Sequence, residues 1–79
     1  MMKVYTMIIE DRHTDVEVTL FQNKDDAINT ATKSVKEWGA KWPEDIEERY
    51  DVHGWLYHGV YSCEGDSVTV IESEIKGRK

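Results

Sequence analysis

Polar and apolar positions along this chain fall into two pairs of alternating stretches separated by one stretch of helical spacing. From Lys3 to Ile9 the residues are mostly β-branched, aromatic or long apolar types, and after the polar stretch Glu10–Asp15 a second run, Val16 to Phe21, resumes. This pattern predicts a β-hairpin. In its second strand Val16, Val18 and Leu20 alternate with Glu17 and Thr19, so the three apolar residues are expected to look inward. The first strand is apolar on both faces, Val4 and Ile8 on one and Tyr5, Met7 and Ile9 on the other, which predicts a central position.

Asn23 followed by Lys24, Asp25 and Asp26 reads as a helix start, with an Asn side chain to accept an early backbone N–H and acids at the positive dipole end. Ile28, Ala31, Val35, Trp38 and Trp42 then mark one apolar stripe. Gly39 is a candidate cap or a point crossed by a frayed last turn, and Pro43 bars clean continuation. The acidic block Pro43–Val52 predicts a turn or short helix with Ile46 and Tyr50 facing in. Alternation returns over Trp55–Ser62 and Ser67–Ile75, joined by a turn at Cys63–Asp66.

The expected fold is α+β: ββαββ, a four-stranded antiparallel sheet with one helix on one face, in a single domain of residues 1–79 whose residues 76–79 form a frayed basic tail. Two strand orders, second-first-third-fourth and first-second-fourth-third, make every pairing antiparallel. Both place the Glu10–Asp15 loop, the Pro43–Val52 block and the end of the last strand at one end of the sheet. Glu10, Asp11, Asp15, Glu44, Asp45, Glu47, Glu48 and Asp51 would gather there, interrupted only by Arg12 and Arg49 unless the basic tail folds back. These eight are the candidate partner-binding residues, set against the alternative that they merely solvate the surface.

Charge strengthens that reading. Sixteen acids against ten Lys and Arg give a net charge of -6, and with Lys76, Arg78 and Lys79 set aside, residues 1–75 carry sixteen acids against seven bases. Such a body repels phosphate backbones and anionic headgroups, so the expected partner is a basic protein surface, with no direct nucleic-acid or membrane binding. A chain of 79 residues buries only about 60% of its unfolded surface, so a deep catalytic cleft competes with the core. No apolar run approaches the roughly 20 residues that span a bilayer, and the N-terminus lacks a signal-peptide layout, so a cytoplasmic location is expected. The single Cys63 fits a reducing compartment.

No catalytic residue, metal site or cofactor is expected. His53, His58 and Cys63 are five residues apart, which on a strand leaves consecutive members on opposite faces and about 16 Å apart. His13 and His53 could meet near the acidic end and give at most a weak site. Cys63 sits beside Glu64 and Asp66, whose charges oppose a reactive thiolate. The five glycines fit no phosphate-binding spacing, although Gly59 inside a strand suggests a bulge or a place where an aromatic covers the backbone. Trp55, Tyr57 and Tyr61 share one face of their strand and are candidate interface aromatics, weighed against ordinary core packing.

The segments Tyr5–Phe21 and Gly54–Ile75 resemble those of small bacterial and phage-associated proteins without an assigned role, and in size and charge the chain is similar to anti-CRISPR and anti-restriction inhibitors. The resemblance implies a non-enzymatic DNA mimic whose carboxylates occupy the Lys/Arg-lined channel of a nucleic-acid-binding host enzyme. The alternative is a structural or assembly module, monomer or homodimer in solution, that pairs through an exposed aromatic sheet face or an edge strand.

Overall fold

The computed structural model describes residues 2–75, so the expected frayed tail lies outside the described residues. In chain order the elements are β1 (Met2–Glu10), β2 (Glu17–Phe21), α1 (Lys24–Trp38), a 3-10 turn (Pro43–Asp45), β3 (Glu47–Val52), β4 (Trp55–Val60) and β5 (Ser67–Ile75). The α+β class holds, with five strands where four were expected. The sheet order is β2-β1-β5-β4-β3 and every pairing is antiparallel.

That order matches neither of the two expected, because the first and last strands pair with each other. β1 and β5 run side by side from Met2↔Ile75 to Glu10↔Ser67, the longest ladder of the sheet. Both strands are long, and β1 is apolar on both faces, so the centre of the sheet is where each is flanked by a neighbouring strand along both edges. The end of β5 therefore lies at the pole opposite the Glu10–Asp15 loop.

The helix begins as its sequence dictates, with the Asn23 side chain accepting the Asp26 N–H and Asp25 and Asp26 in the first turn. Ala27, Ala31 and Val35 are fully buried against the sheet, where Met7, Ile9, Tyr57, Tyr61, Val68 and Val70 complete the core. Small residues on the helix let it approach closely, so two tyrosines and several valines can fill the layer beneath. The helix stops at Trp38. Gly39 has φ -95, an ordinary value, and is needed for space, since a Cβ there would sit 2.7 Å from Ile46 Cγ1. Trp42 falls outside the helix and is exposed, because the residue before a proline is driven from helical geometry.

Two further expectations are corrected. The Pro43–Val52 block holds a strand, β3, whose Glu48 and Tyr50 face the helix side while Glu47 and Arg49 face away. In β2 the apolar residues point away from the helix. Ile8 pairs with Val18 and Thr6 with Leu20, while Met7 and Tyr5 on the helix side stand opposite Thr19 and Phe21. Val16, Val18 and Leu20 are consequently 61, 60 and 63% exposed.

Candidate functional site

Two regions bear on function: the loop end of the sheet, where the acidic residues were expected to converge, and the sheet face that the helix leaves uncovered. At the loop end the cross-strand register puts Glu10, Ser67, Val60 and Glu47 in one row. Glu10 and Glu47 thus share an end of the sheet but stand three strand spacings apart, about 14 Å. This exceeds a Debye length of about 8–10 Å, so their fields do not reinforce one another at physiological salt.

What meets the Glu10–Asp15 loop instead is the turn between β4 and β5. Asp66, 4% exposed, accepts the Arg12 backbone N–H at 2.9 Å and the Ser62 hydroxyl at 2.9 Å. Tyr61 donates its hydroxyl to Asp11 Oδ2 at 2.6 Å, and the His13 N–H donates to Asp11 Oδ1 at 2.8 Å. These bonds hold the Asp11 carboxyl below the usual carboxylate range, the Tyr61 hydroxyl contributing most and the His13 N–H next. Burial, followed by the bond to Asp11, pushes the Tyr61 phenol above its usual range. Asp66 was missed at the sequence level, where a turn acid carries no mark of being buried.

The remaining predicted acids divide. Glu44 and Asp45 sit in the 3-10 turn, and Glu47 lies 3.8 Å from Arg49. Glu48 Oε2 accepts the Tyr57 hydroxyl at 2.8 Å, a bond made because Glu48 pairs with Gly59 and the Tyr57 ring extends over that glycine. Asp51 lies at the far end, beside the β3–β4 turn. The eight residues therefore do not form one patch. His13 and His53 also occupy opposite ends and cannot share a ligand.

The predicted interface aromatics are corrected in the same way. Tyr57 is wholly buried and Tyr61 only 6% exposed, both facing the helix, because they flank Gly59, against whose Cα the Val35 side chain packs. Trp55 alone stays at the surface, its ring stacked on His58 at 4.3 Å between centroids. His58 belongs to the face opposite the helix and bonds Thr69 Oγ1 at 2.9 Å.

That open face runs from Val18 and Leu20 on β2 through Ile8 on β1 and Ile71 on β5 to Val60 on β4. Ile8, Ile71 and Val60 are half-buried, whereas Leu56, beyond the last β4–β5 pair at Tyr57↔Val70, packs against the helix-side core. Glu10 and Glu47 border the face at one end, and the charged side chain of Arg49 borders it along β3. Thr69 and His58 stand in the row between Ile8 and Arg49, so the face combines apolar side chains with hydrogen-bonding groups, as protein interfaces do. No helix among the described residues is long and apolar enough to cross a membrane. Compared with family models, curated proteins and solved structures, the chain matches none.

Proposed function

We propose that this protein is a non-catalytic assembly module that pairs with a second copy of itself through the open face of its sheet. The observation that carries this reading is the pair of exposed apolar side chains on β2, Val18 and Leu20, each about three-fifths exposed beside Ile8, with Val16 equally exposed just ahead of the strand. A contiguous apolar surface on a small domain marks a binding site more often than chance exposure does.

Magnitudes favour sheet face against sheet face over pairing along the β2 edge. Completing the burial of Val18 and Leu20 in two copies supplies about 4–6 kcal/mol, at about 1–1.5 kcal/mol per side chain. Association costs about 4–15 kcal/mol in lost freedom. The interface must therefore take in Ile8, Ile71 and Val60, which edge pairing leaves in water and face packing covers at about 10 Å separation.

Docking of a basic protein by the whole acidic end, the mode of a nucleic-acid mimic, draws less support. Its eight carboxylates do not form one patch: Glu10 and Glu47 stand about 14 Å apart, Asp51 lies at the far end, and Glu48 is engaged by the Tyr57 hydroxyl.

Sedimentation equilibrium over a range of protein concentrations tests the proposal. The wild type should form a dimer whose strength does not fall with added salt, and Leu20→Lys should be monomeric with an unchanged circular dichroism spectrum. A monomer at every concentration, or a dimer undiminished in Leu20→Lys, would overturn it.

A further inference from the structure

On the helix side of the sheet, away from the open face, a cleft of about 240 Å³ opens between the end of α1 and the β1–β2 loop. It is lined by Ile9, Asp11, Thr14, Glu17, Trp38 and Tyr61. Pockets for drug-sized ligands run to about 300–1,000 Å³, so this one suits a single side-chain head group. The Trp38 and Tyr61 rings meet at 5.3 Å between centroids with a tilt of 58°, and they form an aromatic wall. Trp38 leaves 47% of its surface open to water.

Two carboxylates complete the cleft. Glu17 is brought there by register, paired with Ile9 at the start of β2, and Asp11 is oriented by the Tyr61 hydroxyl. The neighbouring bases are turned elsewhere: Arg12 lies 3.9 Å and His13 3.4 Å from Glu64. Among the described residues neither Asp11 nor Glu17 has a cationic partner within ion-pair distance. Carboxylates alone would describe any acidic surface; a concave site that adds an open indole selects for a cation with an apolar face.

We propose that this cleft accepts the guanidinium group of an arginine side chain presented by a partner protein. A guanidinium is planar and weakly hydrated, stacks on an indole, and directs its N–H donors in the ring plane toward carboxylates at the side. A lysine ammonium is a strongly hydrated point charge that gains less from the ring. A quaternary ammonium would use the aromatic wall but has no donor for Asp11 or Glu17. This site is separate from the self-association surface and does not depend on it.

The test is a titration of the ¹⁵N-labelled protein with N-acetyl-arginine amide at low ionic strength, with N-acetyl-lysine amide and tetramethylammonium run in parallel. Saturable shifts are expected at the Trp38 indole N–H and the Thr14 and Glu17 amides, with the arginine probe bound several-fold more tightly than the other two. Trp38→Leu and Glu17→Gln should each weaken it by about two- to fivefold. Glu44→Gln, outside the cleft, and Leu20→Lys, on the other face, should leave it unchanged. Equal binding of the lysine probe or tetramethylammonium, an equal loss in Glu44→Gln, or no shift at Trp38 would overturn the proposal.

Discussion

The two edges of the sheet meet the same hazard in opposite ways. Each presents unpaired backbone donors and acceptors, an invitation to uncontrolled pairing. β3 is blunted by charge: Glu47, Arg49 and Asp51 alternate along it, Glu47 lies 3.8 Å from Arg49, and Asp51 and His53 bend its end with φ of 52 and 56. β2 has no such guard on the open face, where it offers Val18 and Leu20. The comparison thus separates an edge strand blunted by its own charges from one whose apolar side chains lie open, the surface that the proposed face-to-face pairing would cover.

The β3 edge is secured through Tyr57, so the most damaging change should be at Gly59. A Cβ there would overlap the Tyr57 phenol and come within 2.7 Å of Val35 Cγ2, atoms from two elements of the core. Gly59→Ala is expected to cost about 2–3 kcal/mol by overpacking, a fall in melting temperature of about 10–20 °C. Hydrogen exchange should show protection lost first in β3 and retained in β1 and β5. Uniform loss across the sheet would mean that the clasp is not local to that edge.

Removing the hydroxyl alone gives a smaller break in the same place. Tyr57→Phe leaves the Glu48 carboxylate without its donor and should cost about 1–2 kcal/mol in a chemical denaturation curve. Alkali probes the same bond. Burial, with the Glu48 bond second, holds the Tyr57 phenol above its ordinary value of 10.0, and Tyr61 behaves likewise beside Asp11. The unfolded chain then loses these protons first, so stability is intact below pH 10 and falls as the pH rises above it. Tyr57→Phe should keep only the share of that decline due to Tyr61 and to Tyr50, whose phenol is also pushed up by burial. An identical alkaline limb in the variant would remove Tyr57 from the account.

Much of this architecture was legible in the sequence because periodicity and capping report directly on local structure. Asn23 and its acids, the helix through Trp38, the central position of β1 and the last hairpin all followed from spacing, and of the two readings open for Gly59, a bulge or an aromatic over the backbone, the structure shows the second. β3 was not legible, since EERYDV looks like solvated polar chain until a neighbouring strand supplies partners. The orientation of β2 failed for another reason. Alternation shows that a strand has two faces, but which one meets the helix depends on pairing with β1, and Phe21 on the polar side was the only local hint. The spacing of the acidic residues was not legible either, because pairing β1 with β5 and β5 with β4 interposes two strands between the stretches expected to lie side by side. Asp66 and the Trp38–Tyr61 cleft depend on contacts between distant segments and leave no trace in either one.

His58 offers the gentlest test, since it lies on the open face between the two edges. Burial, and after it the charge of Arg49, lowers its pKa from the ordinary 6.5, with Glu10 opposing. The unfolded chain therefore takes up this proton first as the pH falls, so the contribution of the neutral ring is complete above 6.5 and declines below it. His58→Gln should flatten that decline. A second copy lying on the open face would desolvate the ring further and lower its pKa again. The His58 Hε1 resonance should accordingly titrate at lower pH in concentrated wild type than in Leu20→Lys at the same concentration. Matching midpoints would show that nothing covers the ring, and would leave the exposed side of β2 without the occupant proposed for it.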